Sequence, residues 1–310
     1  MSAQKSAILL LAHGSPDSPA GVPEFMRYIT GGRPVPDSVI QEIAHRYSLI
    51  GKSPLTEITM QQAEGLQAKL GLPVYVGMRN WKPFIADAVR DIMEKGIDQV
   101  VAICLAPQNS STSVGLYRKA LMAELKAGIT VQFVESWHDH PLLIQAFVER
   151  LEPVWRQASN EVGAPVPVIF TAHSVPMRTI QAGDPYEKQA KETAQLVGRK
   201  IPGLSRELQH FAFQSQGMSG GPWLGPTVES AMLELKKQGN QGVVIAPIGF
   251  VCDHVEVLYD VDIGFREFAR EQVLKLWRPE SLNASPTFIN ALAKLASTEL
   301  ARAAGIISLA

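Results

Sequence analysis

Three carboxylates at intervals of three and four residues could do chemistry. Asp253, Glu256 and Asp260 follow an apolar, β-branched run at 243–245 that is bounded by proline and glycine and has the pattern of a buried strand. On a helix this spacing places the three side chains on one face, where they could hold a cation or collect protons. A second interpretation stays open, because Asp253 and Glu256 also fit a capping box that starts a helix with a solvated face.

Two histidines stand in matching motifs in the two halves of the chain. His13 and His173 each follow an apolar run, within the pattern Ala-His-x-x-Pro. A neutral imidazole beside carboxylates can bind a divalent transition metal or relay protons. A histidine at a strand end can also be purely structural, so the matched placement is the reason to treat both as candidates. The adjacent residues 138–140, His-Asp-His, are interpreted instead as the surface of a loop.

The elements that must position these residues occur twice. A strand at 7–11 leads into the first Ala-His motif, and a strand at 166–171 leads into the second. Two further matches follow in the same order, and the longer one pairs 83–108 with 226–251 as helix, glycine and buried strand. Matches at three places in the same order indicate an internal duplication.

Alternation of buried strands with amphipathic helices predicts parallel α/β sheets. We predict two doubly wound domains, 1–140 and 141–285, and a C-terminal helical segment, 286–310, that packs back on the first domain. Ligands of open parallel sheets bind beyond the carboxyl ends of the strands. His13 and His173 are therefore expected to face each other across the cleft between the domains. Further helices are predicted at 38–50, 55–70, 186–200 and 267–273.

The first half contains an insertion at 17–38, which we call the lip. Its four prolines and three glycines predict an irregular loop, apart from a short helix at 24–29. Loops of this length in compact domains are usually functional, and the apolar residues of the lip would suit a flat apolar ligand. The other interpretation is a surface loop that packs on its own residues.

Length and composition exclude several classes of protein. A chain of 310 residues with 46% hydrophobic and 19% charged residues is typical of a soluble globular protein. A net charge of −1 gives no general attraction for nucleic acid or anionic membranes. No run reaches the roughly 20 apolar residues of a membrane span, and no signal peptide is recognised, so a cytoplasmic protein is expected. Two cysteines exclude a disulfide scaffold and are too few for a four-cysteine iron–sulfur cluster.

Seven motifs, spread from one end of the chain to the other, resemble those of ferrochelatases. They are LLAHGSP (10–16), RYSLIGKSPL (46–55), LAPQNSSTSVGLY (105–117), ESWHDHP (135–141), TAHSVP (171–176), QSQGMSGGPWLGP (214–226) and PIGFVCDHVEVLYDVD (247–262). The resemblance implies an enzyme of haem biosynthesis, a lyase that inserts Fe2+ into a porphyrin held between two flavodoxin-like domains. It implies that Fe2+ is a substrate and that no cofactor or iron–sulfur cluster is needed. We also expect a monomer that makes only transient contact with neighbouring enzymes of the haem pathway.

The same resemblance implies roles for the acidic residues and for His173. His173 and Glu256 match the catalytic metal-site pair of the family, and Asp260 matches the next carboxylate that binds metal. Gly264 stands where the family carries a further acid. The acidic stripe is therefore shorter here than in relatives.

Four residues match those that surround the porphyrin and its carboxylates, namely Arg46, Tyr47, Ser53 and Tyr117. Thr30 stands in the lip where relatives often carry arginine. His13 occupies a position where coproporphyrin-type enzymes commonly carry tyrosine. Because imidazole is a good axial donor to haem iron, we hypothesise that His13 binds the porphyrin and ligates the product iron on the face away from His173.

Alternatives remain open both for the porphyrin substrate and for the function of the protein. The short, polar lip and the short tail after the last helix favour coproporphyrin III as substrate, with coproheme as product, and protoporphyrin IX is the alternative. A sirohydrochlorin or cobalt chelatase would share the fold. A non-catalytic haem-binding or haem-transfer protein would not need both His173 and Glu256. A nucleotide-binding protein is disfavoured, because no glycine-rich phosphate loop follows the first strand.

Overall fold

The computed structural model describes residues 5–125, 128–217 and 220–305. Strands and helices alternate through these residues. The strands are β1 (Ser6–Ala12), β2 (Val74–Met78), β3 (Gln99–Cys104), β4 (Thr130–Val134), β5 (Val168–His173), β6 (Gln209–Gln214), β7 (Gly242–Pro247) and β8 (Lys275–Trp277). The helices are α1 (Val22–Thr30), α2 (Asp37–Ile50), α3 (Leu55–Leu70), α4 (Ile85–Glu94), α5 (Val114–Glu124), α6 (Pro141–Val162), α7 (Met177–Gln181), α8 (Tyr186–Arg199), α9 (Val228–Lys237), α10 (Val255–Leu258), α11 (Arg266–Glu271) and α12 (Pro286–Ala303). A π-helical segment, Asp260–Phe265, connects α10 to α11.

The strands form two four-stranded sheets in which every pairing is parallel. The strand order is β2-β1-β3-β4 in the first sheet and β6-β5-β7-β8 in the second. Sheets of this kind are covered by helices on both faces, so side chains on both faces of a strand must be apolar. The central strands accordingly show continuous burial, as in β3 and β7. The predicted pair of doubly wound α/β domains is confirmed.

The chain divides into two compact units, each built around one sheet. Among the described residues, the first unit contains those up to 107, those at 113–137 and those from 283 onward, and the second contains those at 108–112 and 138–282. In the first unit, α4 and α5 pack on β1 and β3 around a buried apolar cluster. In the second, α9 and the end of the π-helical segment pack in the same way on β5 and β7.

The last helix packs within the first unit. α12 contacts α3 and β3, and its Phe288 ring stacks on Trp137 at 5.9 Å between centroids. Nε1 of Trp137 donates to the carbonyl oxygen of Cys104 at 3.0 Å, which ties this cluster to the end of β3. Of the predicted C-terminal segment 286–310, residues 306–310 lie outside the described residues. Neither α12 nor any other helix in the described part of the chain is long and apolar enough to cross a membrane.

The lip is more regular than its prolines and glycines predict. Residues 22–30 form α1, so the short helix expected at 24–29 is present and extends further at both ends than predicted. Pro23 falls in the first turn, where a helix does not need the missing N–H. Gly31 ends the helix in the left-handed conformation, with φ at 62°. Proline and glycine usually break helices, but here they lie at the beginning and the end of one.

The predicted helix at 267–273 also needs correction. The chain is π-helical from Asp260 to Phe265, and α11 follows and ends at Glu271. Val273 has a φ of +55°, which takes the backbone out of the helical region before β8. Burial of Leu274 on the sheet explains why the chain turns there rather than continuing as helix.

Candidate active site

His173 and Glu256 lie at adjacent strand ends of the second sheet. His173 is the last residue of β5, and Glu256 lies on α10, which follows β7. The chain leaves β5 towards β6 and leaves β7 towards β8, on the other side of the sheet. Connections that diverge in this way predict a crevice at the carboxyl ends of the two strands. The loop after β7 can approach β5 because Gly249 has no side chain, since a Cβ there would lie 2.6 Å from that of Ala172.

The two side chains form a close pair. Nε2 of His173 lies 3.6 Å from Oε1 of Glu256, and the side chains are 34% and 33% exposed. Nδ1 of His173 hydrogen-bonds to the carbonyl oxygen of Ser174. A carbonyl oxygen only accepts, so the neutral imidazole carries its proton on Nδ1 and directs the lone pair of Nε2 towards the carboxylate. Nε2 is therefore available to take a proton or to bind a metal ion.

His254 is a second histidine beside the same carboxylate, and it was not among the site residues expected from the sequence. Its Nε2 lies 3.8 Å from Oε2 of Glu256, while its Nδ1 lies 3.1 Å from the carbonyl oxygen of Cys252. The same reasoning assigns the proton of the neutral ring to Nδ1. Each oxygen of Glu256 thus faces the basic nitrogen of a different imidazole. The only signal in the sequence is the His-x-Glu spacing, which points to no particular contact.

Asp253 does not belong to this group, and the proposed acidic stripe is wrong in this respect. Asp253 precedes α10 and is buried at 8% exposure, and no side chain caps that helix. Its Oδ1 accepts from Nη1 of Arg278 at 3.1 Å and from Oγ of Ser281 at 2.8 Å. The capping-box interpretation is therefore also wrong. A buried carboxylate is held by a charged partner, and here that partner is an arginine 25 positions later.

Arg278 joins both ends of the segment that carries Glu256. Besides Asp253, it binds Asp262 through two parallel hydrogen bonds, Nε to Oδ1 at 2.7 Å and Nη2 to Oδ2 at 2.6 Å. Burial alone would lower the pKa of Arg278, but the two carboxylates raise it above its ordinary value. The guanidinium stays charged and links the residue before α10 to the π-helical segment after it.

Asp260 is held by a different network. Its Oδ2 accepts a hydrogen bond from Oγ of Ser215, just beyond β6. The neighbouring Gln214 is buried at 2% exposure, and its Nε2 donates to the carbonyl oxygen of Glu256 at 3.1 Å. Oγ1 of Thr171 in turn donates to Oε1 of Gln214 at 2.6 Å. The ends of β5 and β6 thus fix the backbone of Glu256, a support that the sequence does not reveal.

Tyr186, at the start of α8, completes the surroundings of His173. Burial raises the pKa of the Tyr186 phenol, the charges of Glu256 and Asp184 raise it further, and a hydrogen bond with the backbone of His173 acts in the opposite direction. The group therefore stays a neutral phenol in the folded protein. No spacing in the sequence singles it out.

In the first unit, His13 follows β1 at the equivalent strand end. Its side chain is exposed, and its ring lies edge-on to Phe25 of α1 at 6.0 Å. The amide nitrogen of Asn80, after β2, is 3.3 Å from both ring nitrogens. The backbone N–H of Asn80 donates to the carbonyl oxygen of His13 at 3.0 Å. His13 is thus held at an open strand end rather than packed in the core.

Three of the residues matched to porphyrin contacts differ in their surroundings. Tyr47 is buried, and its hydroxyl lies 2.8 Å from Oγ of Ser15. Ser53 is also buried at 2% exposure, yet its Oγ has no hydrogen-bond partner among the described residues. Arg46 is 40% exposed and pairs with Glu42 one turn earlier at 3.1 Å. An exposed pair of this kind contributes little and can be exchanged for another carboxylate.

Tyr117, the fourth residue of that set, lies on α5. Its ring is 6% exposed and carries the guanidinium of Arg79 over its face, with 5.7 Å from Cζ to the ring centroid. This separation is within the range of a cation–π contact. Arg79 and Asn80 lie in the loop that follows β2, and His13 lies in the loop that follows β1. Backbone hydrogen bonds join these two loops at the carboxyl end of the sheet.

The His-Asp-His triplet has structural roles. Nε2 of His138 pairs with Glu192 at 3.1 Å, and its side chain is only 12% exposed, so the interpretation as plain surface is wrong for this residue. Nδ1 of His140 accepts from the backbone N–H of Leu142 and caps α6. Within the described ranges, no three or more His, Cys, Asp or Glu side chains converge closely enough to enclose a metal ion. The arrangement at His173 is thus a pair of donors and not a closed cage.

Comparison with known proteins agrees with this arrangement. The sequence model of the Ferrochelatase family matches residues 5–300. A ferrochelatase from Acidobacterium capsulatum is 54% identical over 313 residues, which cover 96% of each chain. A coproporphyrin III ferrochelatase from a Geobacillus species is 36% identical over 94% of this chain and 97% of its own.

A solved structure shares the fold. SirB from Bacillus subtilis with Fe3+ superposes with a TM-score of 0.60 at 12% identity, over 97% of this chain and 98% of its own. The identity is too low to carry more than the fold. The family match over almost the whole chain carries the assignment, and the chain belongs to the ferrochelatase family of enzymes, which insert iron into a porphyrin.

Proposed function

We propose that the enzyme inserts Fe2+ into coproporphyrin III, with His173 and Glu256 as the catalytic pair. The observation that carries the catalytic assignment is the 3.6 Å separation between Nε2 of His173 and a carboxylate oxygen of Glu256. A basic nitrogen and an anion at this distance can share a proton or a divalent metal ion. Both groups remain partly exposed, so a substrate can reach them.

The reaction exchanges two pyrrole protons for one Fe2+. The lone pair of Nε2 of His173 accepts a proton from a pyrrole nitrogen, and Glu256 stabilises the imidazolium that forms. The second proton leaves through Glu256, whose other oxygen faces His254. General base catalysis of this kind is typically worth about 10²–10⁴-fold. Asp260 is proposed to assist as a further carboxylate for the incoming ion.

Carboxylate recognition supports coproporphyrin III as the porphyrin. This substrate has four propionates, and Arg46 can exchange its surface pair with Glu42 for one of them. The orphan hydroxyl of Ser53 is a donor that a carboxylate would satisfy. Tyr47 and Tyr117 are proposed to line the rest of the porphyrin site.

The lip supports the same substrate. The apolar residues Val22, Phe25 and Met26 of α1 are buried, so only Tyr28 and Ile29 present large apolar side chains, at 43% and 38% exposure. A surface with so little apolar area is less suited to a substrate held in lipid than to a tetra-anionic porphyrin. The naming of the Geobacillus relative points in the same direction.

His13 is proposed to hold the product. Its imidazole is exposed at a strand end, where it could ligate the iron of the metallated porphyrin. A resident cofactor is not part of the proposal. The chain has two cysteines, Cys104 and Cys252, which are fewer than a four-cysteine iron–sulfur cluster needs.

Anaerobic Fe2+ insertion, measured side by side with coproporphyrin III and protoporphyrin IX, tests the substrate. The expected result is a higher kcat/KM for coproporphyrin III. A higher value for protoporphyrin IX would overturn the choice of porphyrin and leave the catalytic pair unaffected. The pair itself is tested by substitution, as described below.

A further inference from the structure

Arg79 is a half-buried arginine at the strand-end side of the first sheet. It follows β2, and its backbone N–H donates to the carbonyl oxygen of Ala12 at 3.0 Å. The next residue, Asn80, bonds in the same way to His13. Two backbone hydrogen bonds thus fix the start of this loop beside the end of β1. The position of Arg79 is therefore set by the sheet and not by its side chain.

The side chain of Arg79 has an incomplete set of partners. Its guanidinium lies over the ring of Tyr117, and within the described residues its buried Nε has no hydrogen-bond acceptor. No carboxylate in the described part of the chain pairs with it. A cationic donor removed from water without an acceptor is unfavourable. Nε of Arg79 is thus a buried donor that can still accept a hydrogen-bond partner.

Arg118, the next residue after Tyr117, shows what a complete arrangement looks like. Its guanidinium also lies over an aromatic ring, that of Phe133, at 5.9 Å. Unlike Arg79, it also bonds to a carboxylate, that of Glu135. Stacking on an aromatic ring is therefore compatible with an ion pair in this fold. The missing partner of Arg79 is not a consequence of the stacking.

We propose that Arg79 is a carboxylate-binding residue that recognises a propionate of the porphyrin. This proposal rests on the proposed function. The guanidinium lies over the ring of Tyr117, with 5.7 Å from Cζ to the ring centroid. A guanidinium presents a planar fork of N–H donors that matches the two oxygens of a carboxylate. The strand-end loop sets the position of the residue, and the ring of Tyr117 lies against its charged end.

Arg79 would add a second cationic contact to that of Arg46. A porphyrin with four propionates requires several such contacts, since each carboxylate that leaves water needs a compensating donor. Two arginines on separate elements, α2 and the loop after β2, can bind different propionates. Arg79 is in this sense a determinant of specificity and takes no part in the proton transfers.

Fluorescence titration with metal-free coproporphyrin III tests the proposal on the full chain. Arg79→Met keeps an unbranched, flexible side chain at this position and removes the charge. We expect its Kd to rise by about tenfold to a hundredfold, the range of a hydrogen bond to a charged group. Arg118→Met is the matched control, because it removes a stacked guanidinium that already has a carboxylate, and its Kd should stay near that of the wild type.

A second porphyrin separates charge from packing. The tetramethyl ester of coproporphyrin III, compared in the same detergent, has the same ring without carboxylates, and wild type and Arg79→Met should bind it equally. Equal weakening for the acid and the ester would overturn the proposal, and so would a Kd for coproporphyrin III that matches the Arg118→Met control.

A charge-conserving variant is needed if the Tm of Arg79→Met is well below that of the wild type. Arg79→Lys is then used instead, because it retains the positive charge and removes only the planar fork. A partial loss of affinity for the acid alone supports recognition by the fork, and an unchanged Kd opposes it.

The substrate preference of the wild type is measured separately from the effect of the Arg79 substitutions. A wild type that prefers protoporphyrin IX refutes the choice of coproporphyrin III, yet the Arg79 comparison still reports on carboxylate binding. Conversely, an Arg79→Met variant with unchanged affinity refutes the role of Arg79 and leaves the substrate preference intact.

Discussion

Nε2 of His173 and Oε1 of Glu256 lie 3.6 Å apart, although the first ends β5 and the second follows β7. Each residue is held independently of the other. The hydrogen bond to Ser174 orients the imidazole, and the amide of Gln214 fixes the backbone of Glu256 at 3.1 Å. Removing one member of the pair should therefore leave the other in place. The contributions of the two residues can be tested separately.

Replacement of the imidazole should abolish insertion without unfolding the protein. His173→Ala is expected to lower kcat by about 10²–10⁴-fold, because the basic nitrogen is lost. Porphyrin binding, measured by fluorescence, should stay close to that of the wild type. His45→Ala, an exposed position on α2, is the control. Insertion by His173→Ala at a rate near that of the control would refute the catalytic role.

The two carboxylates should differ in importance. Glu256→Gln removes the charge next to His173 and is expected to impair kcat severely. Asp260→Asn should be milder, because Asp260 is already engaged by Ser215. Anaerobic insertion rates for both variants under identical conditions decide the order. Equal losses would contradict this ranking of the acids.

Arg278 should matter for stability. Arg278→Met leaves Asp253 buried without its cationic partner, and truncation of a buried pair typically costs about 3–5 kcal/mol in free energy of unfolding. Urea unfolding measures the loss. Arg270→Met breaks an exposed pair with Glu267, with side chains 77% and 63% exposed, and should cost about 0–1 kcal/mol. Similar midpoints for the two variants would show that the buried network contributes little.

Replacement of His13 should alter the spectrum of the bound product and leave turnover measurable. His13→Ala is expected to retain measurable insertion, since the residue lies outside the His173 pair. If its imidazole ligates the product iron, ferric product bound to wild type and variant will differ in absorption and resonance Raman spectra. Identical axial-ligand signatures would leave His13 as a structural residue held by Asn80.

Cys252 should be unreactive in the folded enzyme. Burial, and to a lesser extent the charge of Asp253, raises the pKa of this thiol from 9.0 to about 12. The folded state therefore keeps the proton that the unfolded state loses. The resulting stabilisation is complete below pH 9 and decreases as the pH rises towards about 12. Native enzyme at about pH 8, below the ordinary pKa of a thiol, should resist iodoacetamide, and enzyme in urea should react quickly. Rapid labelling without denaturant would contradict the burial of this thiol.

Features that depend on local patterning could be predicted from the sequence. The alternation of apolar strands and amphipathic helices indicated two parallel α/β sheets, and α3 has the predicted bounds. The topology of such sheets brings the residues after neighbouring strands together, which is why the proximity of His173 and Glu256 could be anticipated. The length of the helix in the lip was underestimated, because Pro23 and Gly31 delimit this helix and do not break it.

Contacts between side chains from distant segments were decided only by the tertiary structure. Asp253 has the spacing of an active-site acid, yet it pairs with Arg278 because both are buried at the same place. His254 beside Glu256, and Arg79 over Tyr117, likewise depend on how separate loops pack. Sequence periodicity determines which face of an element is buried. Which partner a buried charge meets depends on the packing of all the elements around it, and that information is not local.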